Sequence, residues 1–281
     1  MALNIPAQSQ AGRAGGLSLA VVIPSFRASA TICQVLRAIG PPVSLIYVVD
    51  DGCPDGTGER ALRECGDPRL VVLRNGRNLG VGGAMKCGYR RAVADGADII
   101  VKLDADGQMD PAHIPLLLAP IVEGLADYAK GDRFAPPSRM PPGTCPRALA
   151  AMPATRWLAN RALSLIHGLA TGYPQVGDPA NGYTAVHAKA LERIDIDALA
   201  DCFFFETDML FQLNAAGALV VDVPLPARYP GAVSSVSLVR VAPRFACLIV
   251  ARCLQRFRTG RGAAPLTDTR LEPLWCRTQS R

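Results

Sequence analysis

Short runs of aliphatic and β-branched residues recur through the first hundred positions: Leu17–Ile23, closed by Pro24, then Val43–Val49, Leu70–Leu73 and Ile99–Leu103. Runs of this kind, without polar alternation, read as strands buried on both faces, and such strands need helices on each side of their sheet. The intervening segments supply them. Ser29 or Thr31 can cap a helix running to about Ile39, where Pro41-Pro42 stops it. Thr57–Cys65 reads as a second helix, and a third opens in the glycine-rich stretch Arg77–Ala84 and reaches about Asp95. The order β-α-β-α-β-α-β with short connections predicts an α/β fold on a mostly parallel sheet, with helices on both faces.

Beyond the fourth strand, Pro111–Gly124 reads as a helix and Ala126–Lys130 as a strand leaving through Gly131-Asp132-Arg133-Phe134. Ala135–Pro153 holds six prolines, which is long for a connection and predicts a mobile, functional loop. Arg156–Ala170 is patterned as an amphipathic helix. Gly177–Ala188 reads as a polar turn before a strand and helix, Phe203–Ala216 as a further helix, and Ala218–Pro224 as a last strand. Arg240, Arg244, Arg252 and Arg256 fall at helical spacing around the apolar run Phe245–Val250. Such a helix can lie on an anionic membrane or pack on the core as an ordinary surface helix. The expected organisation is a disordered 1–16, one domain over 17–236, a basic amphipathic helix over 237–258 and a disordered tail over 259–281.

The chemistry concentrates where strands end. Ile99–Leu103 releases Asp104-Ala105-Asp106-Gly107-Gln108. If the strand continues, residues i and i+2 point the same way, so Asp104 and Asp106 aim at one point past its carboxyl end, where open α/β sheets bind ligands. Two hard oxygen donors there suit Mg²⁺ or Mn²⁺; a polar turn would use the same residues. Val43–Val49 ends in a second acidic loop, Asp50-Asp51-Gly52-Cys53-Pro54-Asp55. No G-x-G-x-x-G follows the first strand, and the later glycines lack Walker spacing, so dinucleotide-binding and P-loop folds are unsupported. Those glycines serve a tight helix entry, with approach to a phosphate as the alternative.

Hydrophobic residues make up 49% and charged residues 19% of the 281, which excludes a disordered chain. A net charge of +6 fits an anionic substrate or membrane surface; arginines not interleaved with aromatics argue against nucleic acid. Nine scattered cysteines without a C-x-x-C pair predict reduced thiols rather than disulfides or a zinc site. Residues 1–16 lack the apolar core of a signal peptide, and no run of 18 apolar residues exists, so no membrane-spanning helix is expected.

Asp50-Asp51-Gly52, the Asn78–Ala84 glycines, Asp104–Gln108, Gly131–Phe134, Asp178–Tyr183 and Glu206-Thr207-Asp208 stand in the order found in family 2 glycosyltransferases. Over about 17–237 the chain resembles that family's polyprenyl-phosphate branch. The resemblance implies a GT-A fold and a metal-dependent, inverting transfer of a sugar from a UDP- or GDP-linked donor to a polyprenyl phosphate; the basic tail would then hold the enzyme peripherally at the inner face of the cytoplasmic membrane. The resemblance further implies that Pro24, Phe26, Val49, Asp51 and Ala105 line the nucleotide pocket with Asp104 and Asp106. Asp104, Asp106 and Gln108 would hold Mg²⁺ or Mn²⁺; Arg133, Arg156 and Arg228 would neutralise phosphates; Glu206 and Asp208 match carboxylates that include the acceptor's base. The chain departs from the family's Pro-x-Tyr-Asn-Glu pattern, with Arg27 and Ala28 in place of Asn and Glu. A hydroxyl acceptor of a cell-surface glycan, nucleotidyl transfer and an inactive binding module are the alternatives.

Overall fold

The computed structural model describes residues 13–14, 16–140, 154–226, 247 and 249–254. Eight strands form one sheet. They are β1 (Arg13–Ala14), β2 (Leu17–Ser25), β3 (Leu45–Asp50), β4 (Leu70–Arg74), β5 (Ile99–Lys102), β6 (Tyr128–Asp132), β7 (Thr184–His187) and β8 (Val220–Pro224). The helices are α1 (Ile32–Arg37), α2 (Thr57–Cys65), α3 (Gly80–Ala94), α4 (Ile114–Val122), α5 (Ala154–Thr171), α6 (Ala188–Glu192) and α7 (Phe205–Ala215).

The sheet order is β4-β3-β2-β5-β7-β6-β8, with β1 antiparallel on β2. Pairings β2–β3, β3–β4, β2–β5 and β6–β8 are parallel, as expected. Besides β1, the exception is β7, which runs antiparallel to both β5 and β6. Side chains alternate across the sheet. Leu19, Val21 and Ile23 of β2 face α1, α2 and α4, while Ala20 and Val22 face α3, α6 and α7. Burial on both faces is what the unalternated runs require.

The expected helix at the head of the glycine stretch begins at Gly80, and the glycines make it a tight entry. The Gly82 amide donates to Asp201 O at 2.7 Å, and a Cβ there would collide with the Ala200 carbonyl. Of the amides that were the alternative phosphate cradle, those of Gly82 and Gly83 are taken up by Asp201 O and that of Gly80 by the side chains of Asp51 and Asn78. Most of the proline-rich loop, together with 1–12, 227–246 and 255–281, lies outside the described residues. No disulfide joins the cysteines that are described.

Candidate active site

β5 stops at Lys102, so Asp104 and Asp106 leave it in a turn rather than along a continuing strand. They are still neighbours. Partial desolvation, reinforced by the Asp104 charge, raises the Asp106 carboxyl above its usual range. Asp104 leans inward: its Oδ1 accepts from Lys102 Nζ at 2.7 Å. Asp106 stands at the rim, its Oδ1 accepting from the Gln108 amide at 2.9 Å. The Oδ2 atom of each is without a hydrogen-bond partner among the described residues. Gly182 packs against this pair so closely that a Cβ would meet Asp104 Oδ2 and Lys102 Nζ. Two hard, open carboxylate oxygens on a glycine floor suit a small divalent cation.

Lys102 is the residue that spacing did not single out. It is buried, and its Nζ also pairs with Glu206 Oε1 at 2.9 Å and donates to Gly182 O at 3.3 Å. Burial works against its charge, but Asp104 and Glu206 outweigh burial and hold it above the ordinary lysine range. A second lysine, Lys130 on β6, is buried beside it and donates to Asn181 O at 2.6 Å. Burial pushes its pKa down to about 8, against the pull of Glu206 and Asp178. The available signal was a lysine set within apolar strand residues, where an unpaired charge is too costly to persist.

The ends of β2 and β3 form the neighbouring wall. Pro24 lies opposite Val49 in parallel register, Phe26 is exposed, and the Arg27 guanidinium sits 5.4 Å from the Phe26 ring. Ala105 is buried, and its carbonyl accepts from Thr31 Oγ1 at 2.6 Å, tying the metal-binding candidates to the start of α1. The second acidic loop is largely occupied with its own backbone. Asp50 accepts from the Cys53 and Gly58 amides. Asp51 accepts from Asn75 Nδ2 and the Leu79 and Gly80 amides, fixing the entry of α3. Burial raises its carboxyl despite those donors. The position assigned to the nucleotide pocket thus spends both oxygens on the fold.

Arg133 is held at the exit of β6 by the buried Asp178, through Nε–Oδ2 at 2.6 Å and Nη2–Oδ1 at 3.0 Å. Its charge reaches Asp106. Behind it, Gly177 N donates to Asp222 Oδ2 at 2.5 Å, and burial, with Asp132 nearby, pushes Asp222 up to about 7. Arg156 lies on α5, and nothing of its side chain is described; Arg228 lies outside the described residues.

Asp208 corrects the expectation that it serves as a base. It and Arg252 are both 0% exposed, and they pair through Oδ2–Nη2 at 2.6 Å. The same oxygen accepts from the Ala200 amide at 2.9 Å. Burial raises the carboxyl, and Arg252 opposes the rise. A base has to reach its substrate, and this one is sealed in a core ion pair. The correction extends to the tail, where Arg252 was placed on a basic rim. The described turns, residues 247 and 249–254, turn Arg252 inward; Arg240, Arg244 and Arg256 lie outside the described residues.

The fold is shared with crystal structures of glucosyl-3-phosphoglycerate synthase from Mycobacterium tuberculosis. One is 22% identical with a TM-score of 0.58, covering 89% of this chain and 83% of that one. Another, with Mn²⁺, uridine diphosphate and phosphoglyceric acid, is 21% identical with a TM-score of 0.58, covering 85% and 79%. In sequence the chain is similar to the undecaprenyl-phosphate mannosyltransferase of Micrococcus luteus, with 32% identity over 208 residues, 73% of this chain and 81% of that relative. Similarity to the polyprenol monophosphomannose synthase of Mycolicibacterium smegmatis is 29% over 210 residues, 73% and 75% of the two. The model of glycosyl transferase family 2 matches residues 20–193. With its GT-A-like sheet, the chain belongs to glycosyl transferase family 2, the nucleotide-sugar-dependent glycosyltransferases.

Proposed function

We propose that the protein moves a sugar, with inversion, from a UDP- or GDP-linked donor to a polyprenyl phosphate at the inner face of the cytoplasmic membrane. The observation that carries the acceptor class is the state of the two carboxylates at the start of α7. Glu206 is paired with Lys102 and Asp208 with Arg252. A hydroxyl acceptor needs a base within hydrogen-bond reach, and both candidates are neutralised by buried cations. A phosphate is already an anion near neutral pH and needs placement and charge compensation instead. The named acceptors of the relatives from Micrococcus luteus and Mycolicibacterium smegmatis support the same class.

The open oxygens of Asp104 and Asp106 fit Mg²⁺ or Mn²⁺, with Gln108 as the third holder. A cation there supplies Lewis-acid stabilisation of the charge growing on the departing diphosphate. Lys102 holds Asp104 in place, and Gly182 keeps the floor clear. Asp178 fixes the Arg133 guanidinium beside this pair to offset phosphate charge. Pro24, Phe26, Val49 and Ala105 form the wall against which the nucleoside rests.

The test is transfer from labelled UDP- and GDP-sugars to polyprenyl phosphate in detergent. Asp104→Asn and Asp106→Asn should each lower turnover by at least about a hundredfold, a loss of about 2.7 kcal/mol or more of transition-state stabilisation. EDTA should abolish turnover and Mn²⁺ restore it. Full activity in either variant would overturn the assignment. Release of pyrophosphate in place of nucleoside diphosphate would indicate nucleotidyl transfer.

A further inference from the structure

A row of side chains crosses the sheet where the cleft opens. Lys102 on β5, Thr184 on β7, Lys130 on β6 and Asp222 on β8 stand in register, one beside the next. Residues paired on neighbouring strands share a face, and this one is the face that α7 covers. Both lysines are buried, and they hold consecutive carbonyls. Lys102 Nζ donates to Gly182 O at 3.3 Å and Lys130 Nζ to Asn181 O at 2.6 Å. Their surroundings differ. Asp104 and Glu206 pair with Lys102. Among the described residues, the Asn181 carbonyl is the only group bonded to the Lys130 ammonium.

A single peptide carbonyl does not require a charged donor. A neutral amide would satisfy it without the cost of burying a charge. The ammonium of Lys130 therefore serves something beyond that one bond. Charged groups face it from the elements packed around it. Glu206 on α7, Asp178 in the turn after α5 and Asp222 on β8 favour its charge, and Lys102 on β5 opposes it. His167 on α5 is held neutral, lowered to about 3 by burial and by Lys130. Burial brings Lys130 itself down to about 8, so it is mostly charged near pH 7 and mostly neutral near pH 9.

Asn181 passes this grip to the cleft. Its amide donates to Asp178 O at 3.2 Å, closing the turn 178–181, and its Nδ2 donates to Gly131 O at 2.7 Å. The Asp178 side chain grips Arg133, two residues beyond Gly131. A shift of Asn181 thus moves both the carboxylate that holds the Arg133 guanidinium and the backbone that leads to it.

We propose that Lys130 is a positioning residue for the acceptor: its buried ammonium locks the turn 178–181 and so sets Arg133 for the acceptor phosphate, without touching either substrate. The proposal rests on the reading that the acceptor is a polyprenyl phosphate. Loss of the charge loosens the turn, so use of the acceptor declines as pH rises through the range where Lys130 deprotonates.

Steady-state transfer to undecaprenyl phosphate in detergent with Mg²⁺, together with hydrogen exchange of the full chain, tests it. Lys130→Met should raise KM for undecaprenyl phosphate about tenfold, from the loss of one charged hydrogen bond. Its kcat and donor KM should stay near wild type. Wild-type kcat/KM for the acceptor should fall between about pH 7 and pH 9, and Lys130→Met should be flat there. Amides of 178–183 should exchange faster in Lys130→Met at pH 7, while the strand amides stay protected. Should Lys130→Met melt early, Lys130→Gln is read in its place; it keeps a donor without the charge, so a smaller rise in KM and the same flat pH profile are expected. A fall in kcat with the acceptor KM unchanged would overturn the proposal, because a lysine that only supports the fold lowers the active fraction. An alkaline decline that survives in these variants would overturn it as well. Absence of transfer to undecaprenyl phosphate by the wild type, with exchange at 178–183 still quickened by Lys130→Met, would sink the acceptor reading and leave the lock standing.

Discussion

Arg252→Ala separates a structural role for Asp208 from a chemical one. In the wild type a fully buried guanidinium meets a fully buried carboxylate at 2.6 Å, and the same oxygen also holds the Ala200 amide. Removing the guanidinium leaves Asp208 sealed from water with one amide for company. Breaking a buried pair this way costs about 3–5 kcal/mol. At about 2–4 °C per kcal/mol for a domain of this size, the melting temperature should fall by roughly 6–20 °C. Removing both charges together, as Asp208→Leu with Arg252→Met, should recover most of that loss, since matched apolar replacements remove the desolvation problem itself. The sign of the pH dependence follows from the direction of the shift. Burial raises the Asp208 carboxyl above its ordinary 3.8, and without Arg252 nothing comparable opposes the rise. A raised carboxyl contributes stability that is full below its unfolded pKa and is lost as pH rises through the folded one. The deficit of Arg252→Ala should therefore be smaller near pH 5 than near pH 8. Urea melts at the two pH values, with turnover measured well below the melting point, supply the data. An Arg252→Ala protein that melts like wild type yet has lost turnover would refute the reasoning and return Asp208 to the list of bases.

Two further predictions concern the fold around the cleft. Asp222 is pushed up to about 7 by burial and by Asp132, so wild-type stability should decline between about pH 4 and 7 and level off above. Asp222→Asn should flatten that slope, and urea midpoints across the range check it; an unchanged slope would mean the carboxyl titrates normally. Gly82→Ala would drive a methyl into the Ala200 carbonyl, with an expected cost of about 1–3 kcal/mol in thermal melts. A neutral result would show that the 200–202 segment yields easily.

The four parallel strands were legible because each is an uninterrupted apolar run, although β4 at the edge is only partly buried; the helices between them are set off by glycine or proline, while the Thr31 side chain expected to cap α1 makes no capping bond. The place of β7 was not legible. A four-residue strand entering antiparallel between β5 and β6 carries no local mark of its partners or direction. Asp104 and Asp106 were found for a reason that only partly holds, since the strand stops at Lys102 and a turn brings the two together. The acidic loop Asp50–Asp55 looked like ligand chemistry, and Asp50 and Asp51 turned out to bind the entries of α2 and α3. Composition cannot separate a carboxylate aimed at a substrate from one aimed at a backbone amide. Arg252 shows the same limit on a helix: its spacing put it beside other arginines, while its partner lies 44 positions earlier in the chain.

The short link between α5 and β7 has a consequence for how such an enzyme diversifies. Asp178 at its middle immobilises Arg133, and Gly182 near its end presses against Asp104 and Lys102. One small piece of backbone is the foundation for both the anion-facing and the cation-facing halves of the cleft. A substitution that tilts this link to admit a different acceptor also disturbs the donor side. Changes of acceptor preference in this scaffold therefore have to arise outside the link, or come paired with a compensating change on β5.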